Sequence, residues 1–95
     1  MGEFTVTAKE LRSKAAELER LNKTLKQKIQ ALETEEASLN GMWEGEGKEA
    51  FSSSFKTDKN KMLMFHNEIT KYVSVLRNLA AKYEASDRTA AATAR

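Results

Sequence analysis

The sequence has no cysteine, no proline, one histidine and one tryptophan, and only four glycines in 95 residues. Without cysteine there are no disulfides and no thiolate chemistry, and the redox compartment stays open. With His66 as the single histidine, the converging ligands of a zinc site and the paired groups of a nucleophile–base site are missing. No apolar run is long enough to span a bilayer. The start, "MGEFTVTAKE", lacks the basic opening and apolar stretch of a secretory signal. Val6 departs from the myristoylation pattern, which needs Ser or Thr there. Charge of one sign is lacking too, because 16 Lys and Arg oppose 14 Asp and Glu. The signs are interspersed, so neither nucleic acid nor a membrane surface is favoured as a partner. Composition alone points to a cytosolic protein with no cofactor.

What the chain does contain is Ala, Glu, Lys and Leu in helical order. Thr7 with Glu10 three residues on matches a capping box, opening a helix over about 7–40. Leu11, Leu18, Leu25, Leu32 and Leu39 recur every seven residues, with Ala15 and Ile29 on the companion row beside Asn22 and Glu36. That narrow stripe is the seam pattern of packed helices. Asn40-Gly41 is read as the stop, glycine taking a left-handed conformation at little cost. A turn over about 41–46 holds the tryptophan, and a second helix over about 47–85 carries Phe51, Phe55, Met62, Phe65, Ile69, Tyr72, Leu76, Leu79 and Tyr83 in 4-3 alternation. Asp58 is the polar exception. Residues 86–95 lack large apolar side chains and are expected to form a flexible tail.

Folding the chain at the glycines gives an all-α antiparallel hairpin. A mirror point between Trp43 and Glu44 pairs Leu32 with Phe55, Leu25 with Met62, Leu18 with Ile69 and Leu11 with Leu76. Acidic "ETEE" (33–36) would then lie near Lys48 and Lys56. Two helices bury only one side of each stripe, so a lone hairpin would leave much of its apolar face open. Two hairpins would close a four-helix bundle, and a dimer is expected.

Several chemistries compete poorly with this reading. His66 follows Phe65 at the edge of the stripe and reads as a partly exposed helical residue. The "ETEE" cluster reads as a solvated helix end, and "GEGKEAF" lacks the spacing and preceding strand of a P-loop. No enzyme is expected. A DNA-binding leucine zipper needs a basic region running into the leucines, and residues 1–10 offer only Lys9. A membrane-active amphipathic hairpin would carry a cationic polar face, where this one is mixed; membrane interaction is left open.

The central Trp43-Glu44-Gly45, followed by Ala50 and Phe51, lies between two heptad ladders in a chain of about a hundred residues. Tyr83-Glu84-Ala85-Ser86-Asp87 adds a Tyr-x-x-x-Asp pattern, although Tyr83 equally completes the register of the second helix. With these features the sequence resembles the WXG family of ESAT-like type VII secretion substrates. It departs from the family at Gly47, where alanine is common, and a looser start to the second helix is expected there. The resemblance implies a bacterial, virulence-associated protein exported without a cleaved signal peptide, as a folded dimer, by an ATPase-driven type VII apparatus. It implies that Trp43 and Gly45 form a recognition turn and that Tyr83 and Asp87 supply a secretion signal. The implied partners are the chain itself or a second WXG protein, and the secretion ATPase. A reading from another class remains beside it: a cytosolic structural or adaptor coiled coil, chaperone-like toward a larger helical toxin.

Overall fold

In a computed structural model, residues 6–93 of the backbone are described, with side chains up to Arg88. The first residues of "MGEFTVTAKE" and the last of the 86–95 tail lie outside the described residues. Two helices account for nearly all of the rest: α1, Ala8–Met42, and α2, Lys48–Thr93. The fold is an all-α helical hairpin.

Thr7 starts α1 as its sequence suggests. The Glu10 backbone N–H donates to Thr7 Oγ1 at 3.0 Å, and the Thr7 N–H donates to Glu10 Oε1 at 3.3 Å. Two otherwise orphaned amides are satisfied reciprocally. At the other end α1 passes through Asn40 and Gly41 to Met42. Gly41 does not have a positive φ, whereas Gly45 (φ 123°) and Gly47 (φ 90°) do. The stop therefore belongs to the later glycines, and the reversal is centred on Gly45 instead of between Trp43 and Glu44. Each α2 partner shifts outward accordingly. Glu33 meets Lys59 (3.4 Å), and Glu36 accepts from Ser52 (3.2 Å), in place of Lys48 and Lys56. Beyond residue 85, α2 continues to Thr93 where a flexible tail was expected. Alanine is the strongest helix former, and "AAAT" offers neither glycine nor proline to stop the helix.

The chain divides into two compact units. One joins the described residues up to Arg20 to α2 from Ile69 to Thr93. In it Ala8, Ala15, Val73 and Ala80 are buried, and Leu11, Leu18, Ile69 and Leu76 are half-buried. Its exposed flank carries two antiparallel ion pairs, Arg12–Glu84 and a bidentate Arg77–Glu19 (3.0 and 3.1 Å). Side chains tilt toward the N-terminus of their own helix, so those of antiparallel helices lean toward each other and span the offset. The Arg77 guanidinium, through its hydrogen bond and then its charge, holds the Glu19 carboxyl below the usual glutamate value. Arg12 does the same for Glu84.

The second unit is Leu21–Glu68 and contains the turn. Ile29 is fully buried, and Asn22 is 6% exposed with its Nδ2 donating to the His66 carbonyl at 3.0 Å. Leu25, Phe55 and Met62 are half-buried. His66 is half-buried as expected.

The interhelix seam differs from the sequence reading in one systematic way. On α2 the row turned inward is Ser52, Lys59, His66, Val73 and Ala80. Phe51, Phe65, Tyr72 and Leu79, each one residue earlier, are 37–58% exposed, and Leu32 and Leu39 on α1 are 45% and 38% exposed. Helices approach closely where side chains are small, so the small and polar row faces the partner helix. The large residues one position earlier, Phe51, Phe65, Tyr72 and Leu79, sit on its flank, while Phe55, Met62, Ile69 and Leu76 stay half-buried beside it. Leu11, Leu18, Leu25, Ile29, Phe55, Met62, Ile69 and Leu76 are thus core or half-core, and Leu32, Leu39, Phe51, Phe65, Tyr72 and Leu79 are open apolar surface.

Two measurements check this assignment. Ile29→Ala should lower the unfolding free energy by about 2–4 kcal/mol in chemical denaturation. Phe65→Ala should change it much less when measured at a protein concentration low enough to hold the chain monomeric. Glu19 and Glu84 add a pH dependence with a definite sign. Their depressed folded values contribute stability above the unfolded glutamate value of about 4.3, and that contribution is lost as pH falls through the folded values. Between pH 7 and pH 3 the urea midpoint should fall more for the wild type than for Glu19→Gln, with the difference shrinking at high salt.

Candidate functional site

The turn is built from residues that cannot continue a helix. Gly45 and Gly47 occupy positive φ, where an L side chain is strained. Gly47 is the last residue before α2, and the first bond of that helix runs from the Phe51 N–H to the Gly47 carbonyl at 2.9 Å. Gly47 supplies the positive φ from which α2 starts, and the indole lies beside it. A Cβ placed at Gly47 would lie 3.6 Å from Trp43 Cζ2, whereas one at Gly41 or Gly45 meets nothing within 4 Å.

Trp43 is half-buried. Its ring centroid lies 5.5 Å from that of Phe51 at a tilt of 54°, and Phe51 stacks on Phe55 at 6.3 Å and 27°. Such tilted and offset contacts suit the opposed charges of ring face and ring edge and add about 0.5–1.5 kcal/mol beyond area burial. The single hydroxyl proton of Ser52, in the first turns of α2, is within reach of both Glu36 Oε1 (3.2 Å) and Asn40 Oδ1 (3.4 Å), which ties the two ends of the turn together. Asn40 is a brace across the reversal, in place of the helix stop read from the sequence.

Beside this aromatic row lies an open apolar cleft of about 400 Å³. Leu32, Leu39, Met42, Phe51 and Phe55 line it together with Glu35, Glu36 and Ser38. Met42 is 73% exposed. The sequence reading placed Leu32, Leu39 and Phe51 in the stripe but missed Met42, which lies off the heptad. Its position beside the tryptophan was the available signal.

Tyr83 and Asp87 lie one helical turn apart on α2, in the other unit, and both are exposed. Four residues of helix place their side chains on one face. Among the described residues no group of three or more His, Cys, Asp or Glu is arranged to hold a metal. Nor is any helix among them long and apolar enough to cross a membrane.

A helical hairpin whose reversal is organised by a tryptophan two residues ahead of a positive-φ glycine defines a narrow class. A family model, WXG100, "Proteins of 100 residues with WXG", matches residues 3–88. The chain belongs to this ESAT-like family. Its members are typically type VII secretion substrates, secreted without signal peptides, and the family is a non-enzymatic one of helical hairpins. No curated protein and no solved structure matches the chain.

The two kinds of glycine should respond oppositely to alanine. Gly47→Ala forces an L residue into positive φ and should destabilise by about 1–2 kcal/mol. Gly41→Ala, inside a helix and facing open space, should stabilise by about 0.5–1 kcal/mol. Paired denaturation curves read both.

Proposed function

We propose that this protein is a non-enzymatic substrate, or co-secreted partner, of a type VII secretion system and leaves the cell as a folded dimer, without a cleaved signal peptide. The observation that carries this reading is the turn itself: Trp43 over Gly47 and against Phe51, half-buried and half-presented, in a member of the WXG100 family. Trp43 is the recognition anchor and Gly45 shapes its backbone. Tyr83 and Asp87, exposed on one face of α2, form the export signal read by the secretion ATPase. The partner, a second copy or another WXG protein, covers the apolar surface that the hairpin leaves open at Leu32, Leu39, Phe51, Phe65, Tyr72 and Leu79. Burying that surface adds hydrophobic stabilisation that a pair of helices cannot reach alone.

The same open surface supports a second reading, a cytosolic adaptor that sheathes a larger helical toxin. Export separates the two. In a host with a working type VII apparatus, the wild type should appear in the culture medium. Trp43→Ala and Tyr83→Ala should stay in the cell while keeping wild-type circular dichroism and cellular abundance. Normal secretion of both variants removes the signal assignment, and a wild type that never leaves the cell favours the adaptor.

A further inference from the structure

The chain has no cysteine, so methionine thioethers are its only readily oxidised sulfur. Met42, Met62 and Met64 lie among the described residues, and the fold treats them differently. Met62 is half-buried beside the seam. Met64 is 67% exposed but is not one of the residues that line the cleft. Met42, 73% exposed, ends α1 next to Trp43 and lines the cleft with Leu32, Leu39, Phe51 and Phe55. Among the described residues it is the one methionine both open to solvent and built into the cleft. A thioether is apolar, flexible and polarisable, which suits such a surface. Its sulfoxide carries a polar oxygen that needs a hydrogen-bond donor once covered. With Glu35 and Glu36 ionised, the Ser38 hydroxyl is the only side-chain donor lining the cleft.

We propose that Met42 is a reversible oxidation site, at which a peroxide-class oxidant switches off the cleft as an apolar docking surface. The inference rests on the reading that a partner covers the open apolar surface, and it adds a chemical control to that reading. With hydrogen peroxide, a lone pair of Met42 Sδ attacks one oxygen and the O–O bond breaks. An S–O bond forms, and sulfur is oxidised by two electrons. The oxygen bound to sulfur passes its proton to the departing hydroxide, which leaves as water. Reversal takes two thiols, which become a disulfide as the oxygen leaves in water. This chain supplies no thiol, so a dithiol-dependent sulfoxide reductase has to provide them. Oxidation reaches the free hairpin and opposes pairing, whereas a partner seated on the cleft shields the sulfur.

A peroxide titration of the dilute full-length chain, mapped by peptide mass spectrometry, tests the site. Met42 and Met64 should each gain one oxygen at least about fivefold faster than Met62. Sedimentation equilibrium on a Met64→Leu background then tests the control. Oxidation there should raise the dissociation constant of the pair about fivefold or more, by burying an unsatisfied polar oxygen. Sulfoxide reductase with dithiothreitol should restore the starting value. A chain with both Met42→Leu and Met64→Leu should keep its affinity through the same treatment, with circular dichroism unchanged in every sample. Met62 oxidising as fast as Met42 overturns the site. Equal pairing before and after full conversion of Met42 overturns the switch, as does a loss that the double variant shares. A reduced chain that stays monomeric at tens of micromolar removes the pairing reading and the control with it, while the peptide map still decides whether Met42 is the site.

Discussion

Two helices in contact can each turn only one narrow face toward the other. This chain fills the most buried row of that face with alanine, asparagine, isoleucine and valine, beside a half-buried row of Leu11, Leu18, Leu25, Phe55, Met62, Ile69 and Leu76. Ala8, Ala15, Asn22 and Ile29 on one helix, and Ser52, Lys59, His66, Val73 and Ala80 on the other, form the inward rows. Ile29 is the largest side chain that is fully buried. The consequence is a thin interior and a broad apolar flank, with Phe65 at 58% and Tyr72 at 53% exposure. The ion pairs along the exposed edges and the brace at the turn join the two helices where hydrophobic burial is thin.

Much of this was legible in the sequence. The seven-residue leucine row, the capping box at Thr7 and Glu10, and the glycine-rich interruption define two helices and a reversal. The Trp43–Gly45 motif leads to the family, whose model covers residues 3–88. What could not be read was which edge of a wide apolar stripe faces inward. Periodicity reports a direction of hydrophobicity, and Phe51 and Ser52 differ by only one step around the helix. The largest residues drew the assignment outward from the true seam, because size favours burial but close approach favours smallness. The stop at Gly41 failed for a related reason. Glycine permits a left-handed conformation without requiring it, and here Gly45 and Gly47 take that role.

The turn site shows how one tryptophan serves two demands. Its ring lies beside Gly47 and against Phe51, at the reversal, yet it remains half-exposed near an apolar cleft that Glu35 and Glu36 also line. Glycine at position 47 has a local cause of its own, a φ of 90° that an L side chain adopts only with strain. Tyr83 and Asp87 are positioned only by the helix that carries them, which is why the sequence could place them on one face and say less about what they meet.

Asn22 has a consequence of its own. A buried amide donating to the His66 carbonyl adds little to stability compared with an aliphatic side chain of the same size, but it has a fixed counterpart. Leucine contacts set no exact distance between helices, whereas this amide needs a backbone carbonyl of α2 within hydrogen-bond reach, and His66 supplies it. Asn22 therefore pins the separation of the two helices at one point, holding them close enough there for a side chain of one to reach the backbone of the other.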